Sequence, residues 1–291
     1  MPEVKPWEKW IPGVLSGGQL KELVDCGGIL YAEKIEIDGD ASAIDLTITG
    51  DGYELIKGSV KPFGMNYLHE IKKAGLVKAL RPNVDGHFTL FPRKTYLFNI
   101  LQQLPVSFFT GSSIYGQATA KSSVGRVDVL ARLIVDGMDC YEGFTPDGMK
   151  KGIGNLFLEI TPMTFPVCVK EGISLSQLRL FYGALETSTV TGPELYRSVL
   201  IRHDGKEVTD SSLSVDLSPI PLSGHNVCAF YAVGDKSIGG PSFTPIKLWK
   251  SNNEEERADP CNYWKWKTCD TDNRCVITKN YFYILRSKER I

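Results

Sequence analysis

The chain lacks long apolar runs, an excess of either charge, and the usual metal-ligand spacings, and each shortage removes a class of function. No hydrophobic stretch reaches the roughly 18 residues of a membrane-spanning helix, so no membrane role is expected. Residues 1–12 carry Glu3, Lys5, Glu8 and Lys9 and have no apolar centre of signal-peptide length, so the expected location is cytoplasmic. Net charge is −1 over 291 residues, so no global basic field exists to hold a nucleic-acid polymer. Any anion site must come from a local cluster. There are seven cysteines and no Cys-x-x-Cys pair. Cys261, Cys269 and Cys275 lie near one another in sequence, but their spacing suits a disulfide or plain loop thiols better than zinc. What is present is an ordinary soluble composition, 42% hydrophobic and 23% charged, enough for one large domain or two modest ones.

Local patterns predict a mainly β chain with short helices. Gly13 to Ile29 reads as a helix, with Ser16 as N-cap and Gly27-Gly28 as its end. Ser42 to Thr49 reads as extended, with Gly50-Asp51-Gly52 closing it as a turn. Met65 to Val77 is a second predicted helix. From Phe88 onward, short β-branched or aromatic runs are separated by Gly, Pro and Ser. They are Thr95–Ile100, Val106–Phe109, Val127–Val135, Leu156–Ile160, Phe165–Val169 and Leu175–Phe181, the pattern of a sandwich or barrel. Gly183 to Ile201 reads as a polar link. Beyond it the chain echoes itself. Ser212 to Leu217 resembles Ser42 to Leu46, and Lys279 to Leu285 resembles Lys94 to Ile100. The order suggests an internal duplication whose second copy, within 191–291, is incomplete. Ser251 to Asn273 reads as a surface insertion whose tryptophans pack on the sheet.

Two stretches carry chemistry. Lys121-Ser122-Ser123-Val124-Gly125-Arg126 packs two cations and two hydroxyls into six residues. It reads either as an anion-gripping hook, with the arginine fork suited to phosphate, or as a solvated turn. Glu159 is one carboxylate in an apolar strand. Alternation puts Phe157, Glu159 and Thr161 on one face and Leu156, Leu158 and Ile160 on the other. The acid is either on a solvated face or in a pocket where it could move protons. Asp45 and Asp216 each interrupt a β-branched run, and the sequence does not assign them.

An ordered set of segments then resembles a known superfamily. It comprises Ala43-Ile44-Asp45-Leu46, Leu104-Pro105, Lys121 to Arg126, Leu158-Glu159 and Gly172 to Leu178. This order is similar to that of the dUTPase/dCTP-deaminase superfamily. Within it, Lys121 to Val129, Glu159 to Val167 and Tyr281 to Glu289 most resemble the bacterial dCTP deaminases that carry two tandem copies of the fold. The resemblance implies a distorted β-barrel or jelly roll. It implies a dUTPase-like domain over 1–190, a partial second copy over 191–291, and a trimer or pseudo-trimer with sites between subunits. By position, Lys121, Ser122, Ser123 and Arg126 would hold the triphosphate of a dCTP-, dUTP- or dTTP-type nucleotide. Asp139 and Gln177 would be further nucleotide contacts, Glu159 the general acid/base, and magnesium would ride on the triphosphate. The implied reaction converts dCTP and water to dUTP and ammonia. Zinc is not implied, since the His-x-Glu and Pro-Cys-x-x-Cys signature of zinc deaminases is absent. A dUTP diphosphatase, a bifunctional enzyme and an impaired nucleotide-binding paralogue are the alternatives. Departures from the family pattern are the longer Met138 to Gly154 region and the lack of a clear nucleotide-closing segment in Gly183 to Ile201.

Overall fold

Ile44, Leu46 and Ile48 are buried while Asp45, Thr47 and Thr49 lie between them half-exposed, the period-two signature of a strand with one face on a core. Repeated along the chain, this pattern builds a strongly bent sheet. The computed structural model describes residues 5–32, 37, 41–151, 154–183, 201–202, 213–233, 244–250, 257–272 and 274–290. The chain divides into two units. The first is Met1–Ser188 with Phe243–Asn252, and the second is Thr189–Ser242 with Asn253–Ile291.

The strands of the first unit are β1 (Gly13–Val14), β2 (Ile44–Leu55), β3 (Val77–Ala79), β4 (His87–Leu90), β5 (Thr95–Gln103) and β6 (Ile114–Ala120). They continue as β7 (Val129–Val135), β8 (Gly143–Phe144), β9 (Asn155–Pro162), β10 (Val167–Lys170) and β11 (Ser174–Tyr182). The helices are α1 (Gly17–Asp25), α2 (Tyr67–Lys73), α3 (Val106–Phe109) and α4 (Ser122–Gly125). Sheet order is β7-β9-β5-β2-β11-β6-β8, with β1 on β11 and β3 on β2. Its two ends approach through Glu142, whose N–H donates to Leu133 O on β7 and whose carbonyl accepts from Ala118 N on β6. The result is the mainly β, nearly closed barrel that the resemblance implies. The large interior core includes Ile44, Leu46, Val124, Leu156, Leu158 and Ile160. A smaller core of Leu55, Tyr67, Ile71, Leu97, Ile134 and Phe157 forms under α2 on the other face.

Several expectations need correction. Val106–Phe109 is a short helix, not a strand, with Pro105 as N-cap and Phe109 buried. A four-residue apolar run has too little length for its period to be read. Gly50 to Gly52 is no turn, because β2 runs straight through it. A Cβ on Gly52 would lie 2.6 Å from the Phe98 ring, so this glycine admits the aromatic, and the pairing with β5 shifts register there. Ser251 to Asn273 is no mere insertion. Trp264–Lys267 pairs with Ala229–Ala232, and Trp264 and Trp266 contact Phe282 and His225. The expected helix ends near Ser16 hold well, since Ser16 and Gln19 form a reciprocal capping box on α1.

In the second unit, Val215–Asp216 pairs with Arg286–Ser287, and Asp216 forms an ion pair with Arg286 at 2.6 Å. The Cys228 thiol is pushed up to about 12 by burial and by the neighbouring Cys269 and Cys275 thiols. Residues 184–200, which hold most of the expected polar link, lie outside the described residues. Among the described residues, no helix is long and apolar enough to cross a membrane.

Candidate active site

Strand pairing places Arg132 of β7 directly opposite Glu159 of β9. Glu159 lies on the face it shares with Phe157, over the smaller core, and is 1% exposed. A lone carboxylate there would carry a large desolvation cost, so its partners decide whether it is tolerable. Arg132 donates twice to Oε1, from Nε at 3.1 Å and from Nη2 at 2.5 Å. Oε2 accepts from Ser59 Oγ at 2.7 Å and lies 3.3 Å from the Tyr141 hydroxyl. Arg132 also donates to Ser59 Oγ at 2.9 Å and lies 3.9 Å from the centre of the Tyr141 ring. Ser59 reaches the acid because Gly58 adopts φ +83°, a conformation glycine takes without penalty, as the chain leaves β2.

The electrostatics follow from this packing. Burial works to lower the Arg132 pKa, but hydrogen bonds and charge from Glu159 outweigh it and raise the value. Burial raises the Tyr141 phenol, as it does that of Tyr67, where the charge of Glu159 adds to the effect.

The hook forms a second cluster. Lys121 caps the single-turn helix α4, and its backbone N–H donates to Leu175 O on β11. Its Nζ pairs with Asp45 Oδ2 at 2.5 Å, while Gln177 Nε2 donates to Asp45 Oδ1 at 3.1 Å. Val124 is buried and anchors the turn, leaving Ser122, Ser123 and Arg126 exposed. Gly125 has open space where a Cβ would stand, so nothing in the described chain demands a glycine there. The strand Ile246–Lys247, far along the sequence, pairs in parallel with β10. Its segment borders a cavity of about 270 Å³ with Ser123, Val124 and Val127 on one side and Lys247, Trp249 and Lys250 on the other.

Sequence-predicted residues thus fall into separate places. Lys121 and Gln177 meet on Asp45, and Glu159 meets Arg132, Ser59 and Tyr141. Asp139 is exposed beside Cys140, whose thiol burial and the Asp139 charge push up. Among the described residues, no hydrogen bond or ion pair joins the hook to Glu159. Sequence reasoning missed Ser59, Arg132, Tyr141, Lys247 and Lys250. Arg132 had a signal, a cation inside the apolar run Val129–Val135 that answers the acid in Leu156–Ile160. The others had none. No three His, Cys, Asp or Glu side chains are grouped as metal ligands among the described residues.

Comparison with known proteins settles the family. Residues 11–184, well over half of the chain, match the model of the 2'-deoxycytidine 5'-triphosphate deaminase N-terminal domain. The chain belongs to the dCTP deaminase family. Both the hook, Lys121 to Arg126, and Glu159 lie inside the matched dCTP deaminase segment. The structure is also similar to a crystal structure of 2'-deoxycytidine 5'-triphosphate deaminase from Agrobacterium tumefaciens. The TM-score is 0.75 and the identity 18%, over 96% of this chain and 75% of that one. At that identity the likeness shows the fold alone. No curated protein matches the sequence.

Proposed function

We propose that the chain deaminates dCTP, with water adding at C4 of the cytosine and ammonia leaving. The observation that supports this most is Glu159, a buried carboxylate in the family-matched domain with two hydroxyls gathered on one of its oxygens. Water is a poor nucleophile near neutral pH, and a positioned carboxylate that takes its proton lowers the barrier. The same group then returns a proton toward the departing nitrogen. Lys121, Ser122, Ser123 and Arg126 grip the triphosphate, with Lys247 and Lys250 across the adjoining cavity. Gln177 acts through Asp45, and Asp139 is a further nucleotide contact. Because hook and acid form separate networks, this reading brings them together across a boundary between copies, as in a trimer.

Magnesium enters as part of the nucleotide substrate. The hook offers an ammonium, a guanidinium and two hydroxyls, and the carboxylate beside it, Asp45, is paired with Lys121. That donor set offers no carboxylate free of a cation, so it does not fit a protein-held magnesium ion. The test is incubation with each deoxynucleoside triphosphate and magnesium, reading ammonia and nucleotide products. Glu159→Gln is expected to cut ammonia release by about a thousandfold while dCTP affinity stays within a few-fold. Undiminished turnover in that variant overturns the role of Glu159. Pyrophosphate from dUTP, with no ammonia from dCTP, replaces the reading with a diphosphatase.

A further inference from the structure

Glu159 is 1% exposed, yet a base must exchange its proton with something outside. Among the described residues, Oε1 receives both Arg132 bonds and faces no hydroxyl. Oε2 faces Ser59 Oγ and the Tyr141 hydroxyl, and of these two residues Ser59 is the exposed one. A serine has one hydrogen and two lone pairs. The hydrogen of Ser59 goes to Glu159 at 2.7 Å, and its lone pairs face Arg132 Nη2 at 2.9 Å and the Tyr141 hydroxyl at 3.0 Å. Tyr141 therefore donates in its contact with Ser59. It has two other acceptors at 3.3 Å, Val60 O and Glu159 Oε2, so it can turn away and free one lone pair of Ser59.

We propose that Ser59 is a further catalytic residue, the hydroxyl through which Glu159 reaches the reacting water, and that Arg132 and Tyr141 are its positioning residues. The proposal rests on the deaminase reading above. In the forward step a water O–H breaks and its proton passes to Ser59 Oγ, while the proton already on Ser59 passes to Glu159 Oε2. The hydroxide oxygen bonds to C4 as the C4=N3 π pair moves onto N3. In the return step Glu159 gives its proton back to Ser59, which delivers one to the exocyclic nitrogen. The C4–N bond breaks and ammonia leaves with that pair. The N3 pair re-forms the ring double bond, and the C4 hydroxyl proton moves to N3. Ser59 ends unchanged, and no electrons are exchanged with a cofactor.

The test compares Ser59→Ala, Ser59→Thr and Tyr141→Phe with wild type and Glu159→Gln, all as the full chain with dCTP. Ser59→Ala is expected to lower kcat by about 30-fold with KM within twofold, because water fills the gap only in part. Ser59→Thr keeps the hydroxyl and is expected to recover most of kcat; Tyr141→Phe loses less than Ser59→Ala. Wild-type kcat in Ser59→Ala beside an inactive Glu159→Gln overturns the relay and leaves the deaminase reading standing. Full turnover by Glu159→Gln overturns both. A second measurement needs no turnover. The infrared carboxylate band of Glu159, assigned by subtracting the Glu159→Gln spectrum, is expected to shift in Ser59→Ala and to stay in place in Ser59→Thr. A band unmoved by Ser59→Ala removes Ser59 from the acid and ends the proposal.

Discussion

Glu159 and Asp45 each meet a cation on a neighbouring element, and their surroundings differ. Glu159 is 1% exposed at its side chain, and its partner Arg132 is 37% exposed. Asp45 is 41% exposed, and its partner Lys121 is 26% exposed. The buried acid has two hydroxyls and a doubly bonding guanidinium; the exposed one has an ammonium and an amide. An ion pair near water contributes little and opens cheaply, whereas a buried acid stripped of its cation is left costly. On the proposed reading the difference would suit two duties, a proton acceptor held in a fixed pose in one cluster and a lysine kept in reserve for an incoming anion in the other.

The largest expected effect tests whether the two clusters serve one site. Glu159→Gln and Arg126→Ala are each expected to be inactive in ammonia release. Arg132 lies three residues up β7 from Val129, about 10 Å along the strand, and the hook lies before that, so one copy need not supply both halves. Mixing the two variants under conditions that exchange subunits is expected to restore activity, to about a quarter of wild type, from mixed boundaries with one intact pair. No recovery after proven exchange places both halves of the site in a single copy.

Next in size is the stability of the buried pair. Arg132→Ala leaves Glu159 without its cation and is expected to cost about 2–3 kcal/mol in denaturant unfolding, less than for a fully buried pair because Arg132 is partly in water. A loss below 0.5 kcal/mol would mean water reaches Glu159 freely and the contrast between the clusters is false. The same contrast has a pH signature. Burial raises the Tyr67 and Tyr141 phenols above 10 in the folded chain, so their neutral forms are favoured there. Their contribution to stability is fully present below pH 10 and is lost as the pH rises through the folded values, since the unfolded chain releases those protons first. Wild-type stability is expected to fall above pH 10, and less steeply in Tyr67→Phe and Tyr141→Phe. Equal slopes would detach both phenols from the effect.

Much of this architecture was legible in local pattern, because alternation is a local property. The faces of β9 follow from the sequence, with Leu156, Leu158 and Ile160 in the large core and Phe157 in the smaller one. The capping box at Ser16 follows from residues three apart. What escaped was non-local. Ser59 reaches Glu159 across 100 positions, and Tyr141 does so from the segment that joins the two ends of the sheet. Ile246–Lys247 pairs with β10 from beyond the whole of Thr189–Ser242, and nothing in its own residues names that partner. Val106–Phe109 and Gly50–Gly52 were misread for a different reason: their preferences are set by Phe109 burial and Phe98 packing, not by the residues alone.

The smallest effect concerns the exposed pair and tests the comparison from its other side. Asp45→Asn keeps the shape and an acceptor oxygen for Gln177 while removing the charge that holds Lys121. With both partners partly in water, the loss in stability is expected to be about 0.5 kcal/mol. Lys121 is then free to join Ser122, Ser123 and Arg126 on an anion, and binding of inorganic tripolyphosphate at low salt is expected to tighten about threefold, with the gain shrinking as salt screens the charge. A stability loss above about 2 kcal/mol would make Asp45 a structural anchor like Glu159. Unchanged tripolyphosphate affinity would show that Lys121 stays on the barrel wall when its tether is cut, and the reserve role would pass to Arg126, Lys247 and Lys250.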